Sequence, residues 1–216
     1  MTFAELKEET RRQLRESGCM GTFFGEKDIR DAINDGYLEL SDATEWFEEQ
    51  MGIPLMKDRP YYDLFSIIGP IFLSLKPVFD EETNRWMNPS HVRGLDDRDR
   101  RWDRNQGRPQ RLFMRDLRWL GAWPRIGTDG TYLKAYYTRL PELLCEDTDE
   151  PGFPEAFHMG PVYFGLADLY AEDGETALAL KAWQDYLGIE AALQKWVDDR
   201  IGRPVFRAMG AQTGPR

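Results

Sequence analysis

Two stretches of helical periodicity stand at opposite ends of this chain, and a long segment without it, roughly 58–141, lies between them. Helices so far apart in sequence bury their apolar faces by packing on one another. Whatever fills the middle must therefore leave a helical core and return to it. The expected organisation is a helical core over 1–57 and 142–200, a β-rich insertion over 58–141 and an extended C-terminal arm over 201–216.

The first helix is expected near 2–16. Thr2 followed by Glu5 has the capping-box spacing, and Phe3, Leu6, Thr10 and Leu14 fall along one side. A second helix is expected near 26–49, with Ile29, Ile33, Tyr37, Leu40 and Phe47 on its apolar face and Gly52-Ile53-Pro54 as its stop. Helical grammar returns at Pro154. One helix is expected near 154–172, with Pro161 in an early turn or at a kink. Asp173-Gly174 separates it from the longest one, near 175–199, whose stripe reads Ala177, Leu180, Trp183, Leu187, Ala191 and Trp196-Val197. The fold class is thus mainly α, a four-helix core carrying antiparallel strands.

The middle segment is broken by Pro and Gly and holds short β-branched or aromatic runs. YYDLFSI, PIFLSLKPVF, QRLFMRDL, LGAWPRI and TYLKAYYTRL are its strand candidates. In the last run Tyr132, Lys134 and Tyr136 face one side, and Leu133, Ala135 and Tyr137 face the other. Asp129-Gly130, between two such runs, reads as a hairpin turn.

Composition narrows the function. With 41% hydrophobic and 13% aromatic residues the chain can bury a core, and its net charge of −10 argues against a non-specific nucleic-acid binder. Cys19 and Cys145 make neither a disulfide framework nor a zinc knuckle. The opening MTFAELKEETRRQ has no apolar signal core, and the run Leu64–Leu75 is too short to span a bilayer. The expectation is a chain without a membrane segment or export signal.

Catalytic chemistry finds little purchase. Cys145 and His158, with His91 as the other histidine, lack any oxyanion-loop signature, so packed or exposed side chains are the expected reading. His158 near Glu155 lacks a second ligand at helical spacing, and pairs such as Asp96-Asp97 or Glu48-Glu49 read as solvated faces in a chain with 38 acids. Phosphate-cradling glycine motifs are absent. No enzyme, metal or cofactor is expected.

Two features point to binding. From Val92 to Arg118 there are nine arginines against five aspartates, with Trp102 and Phe113 interleaved. The alternating signs suggest mutual pairing or pairing across a subunit boundary, ahead of a nucleic-acid backbone. Arg100, Arg101, Trp102 and Arg104 are its candidate intersubunit or tail contacts. The second feature is the arm: after Arg200 the chain reads IGRPVFRAMGAQTGPR, basic and punctuated by Pro and Gly. Arg200, Arg203, Pro204, Phe206 and Arg207 supply an apolar anchor flanked by cations, the composition of a segment that orders on docking. The hairpin LADLYAEDGETALALKAW has the look of one tetratricopeptide-type unit, but no second copy lies upstream.

Taken in order, IRDAINDGYLELSDATEWF, YYDLFSIIGPIFLSLKPVFD, the W…GRPQRLFM pattern from Trp102, TYLKAYYTRLPELLCEDTDEP and FPEAFHMGPVYFGLADLYAEDGETALALKAWQDY resemble the head-to-tail adaptor (connector) proteins of tailed bacteriophages. The resemblance implies a structural virion protein without a catalytic site, assembled in the host cytoplasm. It implies a homo-oligomer, a twelve-fold ring between the portal protein and a tail or stopper protein. Such a ring extends the channel for double-stranded DNA, which passes without sequence-specific binding, while the C-terminal arm reaches the portal. Other readings are another connector part, a stopper or tail-terminator, or a cytosolic tetratricopeptide-like scaffold.

Overall fold

The computed structural model describes residues 1–16, 24–69, 71–116 and 118–200. In chain order the helices are α1 (Phe3–Glu16), α2 (Glu26–Thr44), α3 (Leu64–Ile68), α4 (Val92–Asp96), α5 (Met159–Glu172) and α6 (Thr176–Arg200). The strands are β1 (Glu48–Leu55), β2 (Tyr61–Asp63), β3 (Phe72–Asp80), β4 (Arg85–Trp86), β5 (Asn88–Ser90), β6 (Arg111–Arg115), β7 (Trp119–Trp123) and β8 (Thr131–Arg139). Short 3₁₀ turns occupy Trp102–Arg104 and Glu155–Phe157. The chain is thus a mixed α/β protein with more helix than strand. It divides into two compact units, Met1–Trp46 with Pro141–Arg216, and Phe47–Leu140.

In the helical unit, α1 starts on the expected cap. The Thr2 N–H donates to Glu5 Oε2 at 2.9 Å, and the Glu5 N–H to Thr2 Oγ1 at 3.3 Å. Its stripe of Phe3, Leu6, Thr10 and Leu14 is buried, and the Thr10 hydroxyl is satisfied by the Leu6 carbonyl. Lys7 is buried too. It bridges Glu26 at 2.8 Å and Asp147 at 2.7 Å, partners that hold its pKa above the ordinary lysine value.

α2 buries Ile29, Ile33, Tyr37 and Leu40 as its spacing predicts. It ends at Thr44, not at 49. Glu45 turns left-handed at φ 47°, and its N–H closes on the carbonyls of Ser41 and Asp42. Phe47 lies beyond the helix, and within the strand that starts at Glu48 the burial period becomes two from Met51, with Ile53 and Leu55 inward. Gly52 and Pro54 lie inside a strand, because pairing to β8 satisfies that backbone. Asn34 in α2 clasps the loop before α5: its amide donates to the Leu144 carbonyl at 3.1 Å and accepts the Leu144 N–H at 2.9 Å.

α2 and α5 cross at glycines. A Cβ on Gly36 would stand 2.6 Å from the Pro161 carbonyl oxygen, and one on Gly165 3.0 Å from Ala32 backbone atoms. Pro161 sits in the first turn of α5, where no hydrogen bond is lost. In α6 the buried side chains are Ala182, Tyr186, Leu193 and Val197. Of the expected stripe only Val197 is buried; Leu180, Trp183 and Leu187 are exposed, because α6 carries two apolar faces and α5 takes the other one.

In the second unit, two four-stranded sheets run in the orders β1-β8-β3-β4 and β2-β7-β6-β5. A single cluster draws Ile53, Leu55, Leu133, Ala135 and Tyr137 from the first sheet and Tyr62, Leu112, Leu120 and Ala122 from the second. β8 alternates as its sequence predicts. Three expectations for this segment are corrected. YYDLFSI is strand only to Asp63, whose carboxylate accepts the Phe65 N–H at 3.1 Å and caps α3. Asp129-Gly130 makes no hairpin, since β7 and β8 belong to different sheets; Asp129 instead accepts the Lys57 N–H at 2.6 Å. The pairing is also not wholly antiparallel, because β5 runs parallel to β6.

Candidate interaction surface

The arginine-rich segment folds into a pinned turn over residues 91–105. Leu95 and Trp102 pack on Phe113 of β6, with the Trp102 and Phe113 rings edge-to-face at 5.3 Å. The buried indole of Trp102 donates to Asp96 Oδ1 at 2.6 Å, and the Trp123 indole donates to the Trp102 carbonyl at 3.0 Å. Asp99 accepts the Arg101 N–H at 2.8 Å and the Asn105 amide at 3.0 Å. Those donors hold the Asp99 carboxyl below the usual carboxylate range. A wedge of aromatic side chains thus fixes the turn from inside.

The arrangement decides what the arginines do. Asp96 and Asp99 are spent on the indole and the backbone, so they are not the arginines' partners. Arg100, Arg101 and Arg104 are exposed and form no ion pair with a described residue. Elsewhere in the stretch Arg115 lies beside Asp116 at 3.7 Å. Arg108 pairs with Asp80 and Glu82, and Arg118 holds Asp63 through two bonds of 2.8 and 2.6 Å. Mutual pairing within the segment is therefore the exception. Trp102 is structural support, while the three arginines project charge into solvent. The signal available in the sequence was the Asp99-x-Arg101 spacing, that of an Asx turn.

Charge is partitioned between the two units. Phe47–Leu140 holds 16 Lys and Arg against 13 Asp and Glu, while the remaining residues hold 12 against 25. The acidity of the whole chain thus hides a basic β unit.

His158 is buried and both ring nitrogens are engaged, Nε2 donating to the Phe153 carbonyl at 2.8 Å and Nδ1 facing the Met1 amine at 2.8 Å. Cys145 is exposed. Among the described residues no group of three His, Cys, Asp or Glu side chains could hold a metal, and no helix is long and apolar enough to cross a membrane. Of the arm residues, Arg200 closes α6, whereas Arg203, Pro204, Phe206 and Arg207 lie outside the described residues.

A family model, the SU10 adaptor protein, matches residues 1–208. The chain belongs to the SU10 adaptor protein family. This is a family of phage head-to-tail adaptors, structural components of the virion that work with portal and tail proteins. No curated protein matches the chain with significance. In the SU10 adaptor chain the match runs past the end of α6 and takes in Arg203, Pro204, Phe206 and Arg207.

Proposed function

We propose that this SU10 adaptor chain is the repeating subunit of a twelve-fold ring between portal and tail, extending the DNA channel. The observation that carries the reading is the family match over residues 1–208. The partition of charge favours a ring in particular. Ring closure needs heterologous contacts, one patch of each subunit meeting a different patch on its neighbour. A basic unit and an acidic unit in one chain supply such a pair of patches, and Arg100, Arg101 and Arg104 are the cations most available for it. The acidic helical unit also disfavours tight binding of DNA phosphates, so that duplex slides through without sequence-specific contacts. The side chains need make no bond and break none.

The arm Ile201–Arg216 is assigned to the portal. Its composition, one aromatic anchor among arginines, suits a segment that gains order against an acidic or apolar surface. The test is co-sedimentation of the purified chain with its portal, with and without residues 201–216. The truncated chain should stay folded and lose the portal. Undiminished association of the truncated form would remove the arm from the reading, and imaging of the particle that found this chain away from the head–tail junction would end it.

A further inference from the structure

We propose that the arginine turn of one copy, through Arg100, Arg101 and Arg104, docks on the outer face of α2 of the next copy, on Asp35, Glu39 and Asp42. The inference rests on the ring reading and deepens it. It names both surfaces of one heterologous contact, the kind that repeats by rotation around a ring.

The starting observation is a helix face whose charge its own chain leaves uncompensated. At 3.6 residues per turn, Asp28, Asp31, Asp35, Glu39 and Asp42 fall within an arc of about 80° on α2, and all five are exposed. Lys27 and Arg30 lie outside that arc. Asp31 with Asp35, and Asp35 with Glu39, are like charges four apart, a spacing that destabilises a helix. Asp42 sits in the last turn, where the helix dipole disfavours an acid, and no base in that turn offsets it. Asp28 accepts the Gly25 N–H at 2.8 Å, and Asp31 has Arg30 beside it at 3.6 Å. Asp35, Glu39 and Asp42 form no ion pair with a described residue. Burial, with Glu190 and Glu39 nearby, pushes the pKa of the Tyr186 hydroxyl up, so this phenol stays neutral and cancels none of the charge. Asp35 and Asp42 are separated by about 10 Å along the axis, too far to share one ion. The face calls for several cations on one extended surface.

The arginine turn has the matching form. Three guanidinium groups project into solvent within five residues, and Asp103 is the one acid among them. The neighbouring Asp96 and Asp99 are engaged by the Trp102 indole and the Arg101 N–H. The edge-to-face packing of Trp102 on Phe113 holds the turn from inside, so little freedom is lost when it docks. Guanidinium forks also match carboxylates through paired hydrogen bonds, which a lysine cannot reproduce. Duplex DNA is the rival occupant of the turn, but it would leave the charge on α2 unanswered. Pairing the turn with α2 of a second copy satisfies both surfaces at once.

Charge reversal in the full-length chain tests the pairing. One variant carries Arg100→Glu, Arg101→Glu and Arg104→Glu; the other carries Asp35→Lys, Glu39→Lys and Asp42→Lys. Sedimentation velocity reads self-association, and native mass spectrometry counts the copies held on purified portal. Each variant alone should associate roughly tenfold or more weakly than the parent, because three exposed pairs turn repulsive. An equimolar mixture should recover the parental association, since each turn then meets a face of opposite sign on the other variant. A contact within one chain is not restored by mixing. All six positions are exposed, so far-ultraviolet circular dichroism should be unchanged. Either variant associating like the parent, or a mixture no better than its components, would overturn the proposal and leave the ring to other surfaces. A parent that stays a single copy, both in solution and on the portal, would overturn the ring and this contact together. Duplex DNA retained by the parent and released by the reversed turn, with association unchanged, would overturn it in favour of a phosphate site.

Discussion

Replacing Gly36 with alanine adds one methyl group where α2 crosses α5, and the structure gives the sign of its effect. The new Cβ would lie 2.6 Å from the Pro161 carbonyl oxygen, 2.9 Å from Pro161 Cα and 2.9 Å from Phe164 Cβ. Two of these neighbours are backbone atoms and the third is fixed to the backbone, so no rotamer change relieves the clash. Helix propensity acts the other way, since alanine is about 1 kcal/mol better than glycine inside a helix. Overpacking a closed contact costs about 1–3 kcal/mol, and contacts this short call for the upper part of that range. The net expectation is a loss of about 2 kcal/mol. Gly188 on α6 is the matched control: with no atom within 4 Å of its Cβ position, Gly188→Ala should gain about 0.5–1 kcal/mol. Urea unfolding followed by far-ultraviolet circular dichroism reads both. A Gly36→Ala variant as stable as the parent would refute the reasoning that backbone proximity holds these helices together.

Other expectations are shorter. Asn34→Ala strips the Leu144 N–H and carbonyl of their buried partner and should cost about 2 kcal/mol or more in the same assay, whereas an exposed asparagine would cost almost nothing. Thr2→Ala should lower stability by about 1 kcal/mol through the lost α1 cap, seen as a drop in the urea midpoint. Arg118 and the Ser66 hydroxyl hold the Asp63 carboxyl far below its usual pKa. The stabilisation is therefore complete above the unfolded value of about 4 and drains away as pH falls below it. Acid titration of the thermal midpoint should show that loss in the parent and a flatter profile in Asp63→Asn. Reversing Arg100, Arg101 and Arg104 to glutamate should leave the melting curve intact while weakening self-association in the assembled state; salt should mimic the effect in the parent.

How much of this was legible depends on whether neighbours along the chain or across it decide the outcome. α1 could be read outright, because its cap and its stripe are local and agree. α6 could not: Ala182, Tyr186, Leu193 and Val197 have the same helical spacing as Leu180 and Leu187, and only α5 determines which set turns inward. The end of α2 was misplaced because Phe47 continues the apolar series by coincidence, while the pull into β1 comes from pairing with β8 some eighty-odd positions away. β8 itself alternates cleanly, yet its partners β1 and β3 had to be found at long range, and the local Asp129-Gly130 signal pointed to the wrong one. In the arginine turn, opposite charges close in sequence suggested pairing. An indole and a backbone N–H reached the aspartates first.

The closeness of Gly36 to Pro161 has a consequence for how the protein is made. On the ribosome, α1 and α2 emerge long before α5, and every residue of the β unit must be synthesised before the second half of their core exists. Until then Ile33, Tyr37 and Leu40 lack the cover that α5 gives them, so the nascent chain passes through an interval in which part of its apolar surface is open to association.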